Sequence, residues 1–191
     1  MWLRANPTFA DPISVDLFSD DDCDRLIEQS EADDSWAAAG VYGEHGNRVD
    51  PLSRSVRGTR IEGTGRDWPL REILDAVAEV NDQAFRCHLE VIPASDRPSV
   101  LRYDANSADH FVTHMDAGKG SPTRKLTFIV QLSRPNAYKG CDLLFTGSRS
   151  VGTRTRGALI VFPSYTFHHV TPIMAGTRYA VVGWVHGPTF T

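Results

Sequence analysis

Cysteine is scarce in this chain: Cys23, Cys87 and Cys141 are the three among 191 residues. They are scattered, odd in number and without a C-x-x-C pair. That excludes a disulfide scaffold and points to reduced thiols in a cytoplasmic setting. Long apolar runs are missing as well. None approaches the roughly 20 residues that a membrane-crossing helix needs, so no membrane partner is expected. The N-terminus shows no basic flank followed by an apolar stretch, so no secretory signal is expected. Basic charge is not in excess either. The net charge is -4 and the pI is near 5.9, which argues against a duplex nucleic-acid partner, for which a basic footprint is required. Strand–helix alternation, internal repeats and low-complexity segments are absent, and with them the pattern of a parallel α/β sheet. What remains is an ordinary globular composition, 41% hydrophobic and 23% charged, long enough for one domain with a sizeable core.

The first half supplies helices and an arginine-rich stretch. Ile13, Val15 and Leu17 alternate with Ser14 and Asp16, as in a short strand. Ser19 then reads as an N-cap, with Asp20, Asp21 and Asp22 in the first turn, where the helix dipole favours anions. This helix is expected to run to about Ala32 and to bury Cys23, Leu26 and Ile27. Capping explains the acidic cluster better than a cation site does. Residues 43–66 carry Arg48, Arg54, Arg57, Arg60 and Arg66 with few apolar partners. They read either as a solvated loop with an edge strand near 55–61, or as a lid that closes over substrate. Asp67 is expected to cap a second helix with Pro69 in its first turn. There Leu70, Ile73, Leu74, Val77, Val80, Ala84 and Phe85 recur at helical spacing and should lie against the outer face of a sheet.

After Pro98 the texture changes to short strands separated by turn residues. Strands are expected over 99–103, 110–116, 125–132, 142–145, 158–162, 168–171 and 177–185, with turns at 104–107, 118–123, 133–140, 147–156 and 174–176. Such spacing suggests an all-β sandwich or jelly roll. Within it lies His114-Met115-Asp116. Residues i and i+2 of a strand project the same way, their Cα atoms roughly 6.5 Å apart at a rise of about 3.3 Å per residue. An imidazole and a carboxylate at that spacing can share one cation, and a second histidine would complete a facial triad with open positions. The pair His168-His169 offers that histidine, and neighbours on a strand face opposite ways, so one of the two is the ligand.

These elements resemble the 2-oxoglutarate- and Fe(II)-dependent oxygenases, in particular the prolyl-4-hydroxylase-like branch. The resemblance is carried by Leu101-Arg102-Tyr103, His114-Met115-Asp116-Ala117-Gly118, the strand over 125–132, the stretch 140–145, and His168, Val170-Thr171-Pro172 and Gly176-Thr177-Arg178. It implies a mainly β fold with flanking α-helices: a double-stranded β-helix (jelly-roll, cupin-like) core over 98–188, packed on an N-terminal helical and lid region over 1–97, as a single domain. It also implies that His114, Asp116 and His168 hold Fe(II). It selects His168 over His169 because the ligand is separated from Val-Thr-Pro by one position, with the arginine ten positions later at Arg178.

Arg178 would then anchor the distal carboxylate of 2-oxoglutarate, a planar charged match for a guanidinium. Tyr103 would hydrogen-bond the same cosubstrate, and Thr127 and Gln131, on one face of their strand, would add further bonds. Trp184 and Arg60 are candidate substrate contacts. Two positions depart from the family pattern, Gln131 where some relatives carry tyrosine and Cys141 where a second glycine is common.

The reaction implied is hydroxylation of an unactivated C–H with O₂ and 2-oxoglutarate, releasing succinate and CO₂, and ascorbate is a further candidate cofactor. The expected substrate is an amino-acid residue, free or in a peptide, or a small molecule. The alternatives are a nucleic-acid or small-molecule oxidative demethylase, a non-catalytic jelly-roll binding domain, and a cupin-type enzyme that does not need Arg178. A demethylase acting on nucleic acid would need a basic groove, which the overall acidity disfavours. A mere binding domain needs no complete set of His114, Asp116, His168 and Arg178.

Overall fold

The computed structural model describes residues 11–43, 46–90, 92–147 and 151–189. The first ten residues, on which the absence of a secretory signal was read, lie outside them, as do parts of the 43–66 and 147–156 segments. Strand β1 (Ile13–Asp16) leads into helix α1 (Asp20–Glu31). Ser19 caps α1 in a complete capping box: its hydroxyl accepts from Asp22 N, and the Asp22 carboxylate accepts from Ser19 N. Cys23 and Leu26 are buried, and Ile27 half-buried. The acidic cluster is used in that cap and in ion pairs of Asp20 and Asp24 with Arg156.

The arginine-rich segment is more ordered than a solvated loop. Strands β2 (Ala37–Ala38), β3 (Val41–Gly43), β4 (Gly46–Arg48), β5 (Arg54–Ser55) and β6 (Arg57–Arg60) run through it or border it. Helix α2 (Leu70–Val80) follows and continues into a π-helical turn, Asn81–Phe85. Its expected cap is corrected. Pro69 occupies the N-cap position, and the Asp67 carboxylate turns back to accept from Thr64 N at 2.8 Å. A side chain already closing the preceding turn is not available to the helix.

The β region comprises β7 (Ser99–Asp104), β8 (His110–His114), β9 (Arg124–Gln131), β10 (Tyr138–Gly140), β11 (Leu143–Phe145), β12 (Ala158–Pro163), β13 (His168–Val170) and β14 (Ile173–His186). Among the described residues, an eight-stranded sheet runs β1-β12-β9-β14-β7-β6-β2 with β10 paired to β14. A four-stranded sheet runs β11-β13-β8-β5. The two form the double-stranded β-helix expected from the sequence. Two expectations fail locally. Residues 174–176 are not a turn, because β14 starts at Ile173 and its first residues pair with β10, which lies inside the expected 133–140 turn. Strand β8 stops at His114, so Asp116 lies beyond its end.

Strands β9 and β12 are buried along their whole length because both faces of the large sheet are covered. Val77, Ile73 and Leu26 of the helices pack on Phe128, Val130, Leu159, Val161 and Val181 on the outer face. Leu101, Tyr103, Ile129, Phe162 and Ala180 point inward against Leu143, Phe145 and Val170 of the small sheet. A fully buried aromatic or branched side chain contributes about 1.5–3 kcal/mol, so these two layers hold the sheets in register around the site between them.

Candidate metal centre

His114 and His168 are direct cross-strand partners in the β8–β13 pair. A bulge follows them, two residues of β13 opposing three of β8. The imidazole centroids stand 4.2 Å apart. Each ring is fixed in the same way. His114 Nδ1 lies 2.8 Å from Val112 O, and His168 Nδ1 lies 2.9 Å from Thr166 O. A carbonyl only accepts, so each ring carries hydrogen on Nδ1, and in its neutral form keeps a lone pair on Nε2.

Asp116 is brought in by its backbone. Its N–H and that of Ala117 both donate to Ser164 O at 2.8 Å, which ties the end of β8 to the β12–β13 turn. Its Oδ1 then lies 3.6 Å from His114 Nε2, and its Oδ2 lies 3.5 Å from His168 Nε2. These gaps exceed a normal N–H···O bond. They match donors that share one ion at about 2.0–2.2 Å each. The three ligand atoms all fall within 4.8 Å of one another, so the donor set fits a ferrous ion. His169, by contrast, pairs with Leu144 on the other side of the strand, and its Nδ1 is buried without a partner among the described residues.

The electrostatics agree with that geometry. Burial alone would raise Asp116, but the facing imidazoles of His114 and His168 and the Arg124 guanidinium outweigh it and hold the carboxyl well below its usual range. Burial pushes His168 down to about 4 against the opposing pull of Asp116, which leaves a neutral ring at physiological pH.

The remaining sequence-derived residues fall into two groups. Thr127, expected to bind cosubstrate, donates to Asp116 Oδ2 at 2.8 Å and touches Ser164 Oγ at 3.0 Å. Its cross-strand position opposite Trp184 places it beneath the metal centre. Arg178, Gln131 and Tyr103 form a separate buried cluster. Gln131 Oε1 accepts from Arg178 Nε at 3.1 Å and from Nη2 at 2.8 Å, while its amide nitrogen donates to Thr153 O. Tyr103 is the cross-strand partner of Arg178, with the guanidinium 5.3 Å from its ring. Burial pushes the Tyr103 phenol up to about 12 and the Cys141 thiol up as well, so neither supplies a negative charge near neutral pH. Among the described residues no carboxylate pairs with Arg178, which is 2% exposed.

A cavity of about 460 Å³ opens over His114 and Asp116 and is also walled by Trp184 and Arg54. Arg60 does not reach it. It is exposed and lines a neighbouring cavity of about 500 Å³. Sequence reasoning missed four residues here. Arg54 was one arginine among five. Phe111, three positions before His114, stacks on that imidazole at 3.5 Å. Ser164 acts through its carbonyl, which no side-chain pattern reveals. Arg124 stacks on Trp184 at 3.5 Å and is clamped by both oxygens of Asp96 at 2.7 Å. Its one signal was its place, with Lys125, just before the apolar positions of β9.

Residues 98–186 match the family model described as the 2OG-Fe(II) oxygenase superfamily. A PKHD-type hydroxylase of Hyphomonas neptunium is 31% identical over 57% of this chain, and that match spans 53% of the relative's length. A PKHD-type hydroxylase of Gloeothece citriformis is 33% identical over 94% of this chain and 76% of its own. The fold is similar to that of a Pseudomonas putida prolyl-4-hydroxylase, with a TM-score of 0.72 at 17% identity over 93% of this chain and 94% of that one. It is also similar to a Trichoplax adhaerens prolyl hydroxylase in complex with a hypoxia inducible factor peptide fragment, with a TM-score of 0.59 at 16% identity over 95% and 84%. The structural neighbours share the fold, and the likeness to the Gloeothece protein extends to sequence along nearly the whole chain: this protein belongs to the 2OG-Fe(II) oxygenase superfamily.

Proposed function

We propose that the protein hydroxylates an unactivated C–H of an amino-acid residue, a prolyl-type residue in a peptide foremost, consuming 2-oxoglutarate and O₂ and releasing succinate and CO₂. The observation that carries this reading is the convergence of two Nε2 atoms and one carboxylate within 4.8 Å, with the buried Arg178 guanidinium in the same core paired with no carboxylate among the described residues. The names of the relatives, PKHD-type and prolyl hydroxylases, support the substrate class, as does the peptide in the Trichoplax complex. The reading treats residues 1–191 as one oxygenase domain and places it in the cytoplasm, in keeping with Cys23, Cys87 and Cys141 as free thiols.

His114, Asp116 and His168 would hold the ferrous ion, which when bound supplies the redox chemistry between O₂ and 2-oxoglutarate. The chain does the rest. The carbonyls of Val112 and Thr166 keep both Nε2 atoms of the neutral rings unprotonated. Thr127 fixes the rotamer of Asp116. Gln131 holds the Arg178 fork flat, leaving guanidinium edges to receive a carboxylate. Tyr103, protonated, offers an O–H donor to the same ligand. Phe162 and Phe145 pack on the His168 ring and exclude water behind it.

Succinate release is the test, measured with Fe(II) and 2-oxoglutarate in air and under anaerobic conditions. Oxygen-dependent release in the wild type, lost in His114→Ala and Asp116→Ala, is expected. Release that persists without oxygen or without the triad would overturn the assignment.

A further inference from the structure

Among the described residues Arg54 pairs with no carboxylate. It stands in β5 at the edge of the small sheet and walls the metal cavity together with His114 and Asp116. Its guanidinium lies 4.6 Å above the Phe111 ring, which itself stacks on His114 at 3.5 Å. One aromatic ring therefore separates it from an imidazole of the triad. Its Nη1 donates to Gly40 O at 2.8 Å, while Nε is buried with no partner among the described residues. Burial pushes its pKa down, with Tyr103 and Asp116 pulling the other way and Arg124 adding to the fall.

The buried Arg124 and Arg178 and the half-buried Arg156 differ from it. Arg124 is held by both oxygens of Asp96, and Arg156 by Asp20 and Asp24. Arg178 is held by Gln131. The charge of Asp116 also acts on Arg54, and a bound metal ion would take up that charge. A guanidinium removed from water is unfavourable unless an anion or a full set of acceptors replaces the lost hydration. Arg54, Gly40 and Trp184 also form the wall shared by the metal cavity and the neighbouring cavity. A ligand spanning both passes the guanidinium.

We propose that Arg54 is the specificity-determining residue of the acceptor site and that it takes a carboxylate carried by the substrate, close to the carbon that is hydroxylated. The proposal rests on the hydroxylase reading above. A planar fork of donors suits a carboxylate better than it suits a lone carbonyl. The carboxylate comes either from a chain terminus or from an acidic side chain.

Calorimetric titration of the full chain, loaded with Mn(II) and 2-oxoglutarate under anaerobic conditions, separates these sources. One probe pair is N-acetyl-L-proline and its amide. The other is N-acetyl-prolyl-aspartate amide and its asparagine counterpart. At least one carboxylate probe is expected to bind tenfold or more tighter than its neutral partner, and the pair that does so names the source. Arg54→Met should bring that ratio close to one, and Arg54→Lys should leave it between the two. A wild type that binds both members of each pair within twofold, or binds neither carboxylate probe, overturns the proposal whether or not the variants fold. So does an Arg54→Met chain that keeps the wild-type ratio, or one whose loss falls equally on acid and amide. Succinate release by the wild type is read separately, so failure of the hydroxylase reading is not confused with failure of the carboxylate site.

Discussion

A buried carboxylate facing two imidazole Nε2 atoms has more lone pairs than nearby donors, and at Asp116 the hydroxyl of Thr127 makes up part of the deficit. Thr127→Val keeps the shape and removes that donor. Metal affinity is expected to fall by about tenfold or more, as for other groups that orient a ligand without touching the ion. Thr127→Ser should stay near the wild type. A Mn(II) titration reads both, and equal affinity in the valine and serine variants would show that the hydroxyl is idle. Gln131 plays a comparable part for Arg178. Gln131→Leu strands two guanidinium donors in the core, at a cost of about 1–3 kcal/mol of stability. It should also raise the concentration of 2-oxoglutarate needed for half-maximal succinate release. A leucine variant with unchanged melting temperature and unchanged cosubstrate dependence would refute that role.

Between elements, the tie that positions Trp184 in the cavity wall is the group formed by Asp96, Arg124 of β9 and His186 of β14. Burial would raise the Asp96 carboxyl, but hydrogen bonds from His186 and Arg124 hold it below its ordinary value. A depressed folded-state pKa contributes stability above the unfolded value of about 3.9, and that contribution is lost as pH falls through the folded value. Asp96→Asn should therefore melt earlier than the wild type at neutral pH, the difference shrinking as the pH drops below about 4. A gap that stays constant across acid titration would contradict this linkage. The cap of α1 is a smaller device: Ser19→Ala should cost about 1 kcal/mol, read from denaturant unfolding.

Elements were legible in the sequence where burial was one-sided or complete: α1, α2, β9 and β12 follow directly from helical spacing or dense apolar runs. The start of β14 was not, because Gly176 reads as a turn residue. In the structure it has φ +76 within the strand, where an added Cβ would lie 2.0 Å from Ala137 O. The strand bends there and goes on. Asp67 and Asp116 were misplaced for a related reason. Asp67 closes a turn with Thr64 three positions earlier, a local pairing that competes with helix capping, and Asp116 is fixed by Ser164, which is distant in sequence.

At the scale of the molecule, two cores meet at one sheet. The helices cover its outer face, and the small sheet closes the inner face around the metal centre. His114, Asp116, His168 and Arg178 were picked out by family resemblance, and the structure brings ligand atoms of the first three within 4.8 Å of one another. Arg54 was not, because its surroundings depend on which side chains lie opposite across a cavity; Thr127 was named as a cosubstrate contact, but its bond to Asp116 was not foreseen. Among the described residues no helix is long and apolar enough to cross a membrane. The claim on which the rest depends is that His114, Asp116 and His168 bind one ion beside a cosubstrate held by Arg178. Anomalous diffraction from crystals grown with Mn(II) and 2-oxoglutarate tests it most directly. One peak bonded to both Nε2 atoms and to the Asp116 carboxylate, with the distal carboxylate of the cosubstrate on Arg178, is expected. A peak on His169, or density for 2-oxoglutarate away from Arg178, would contradict it.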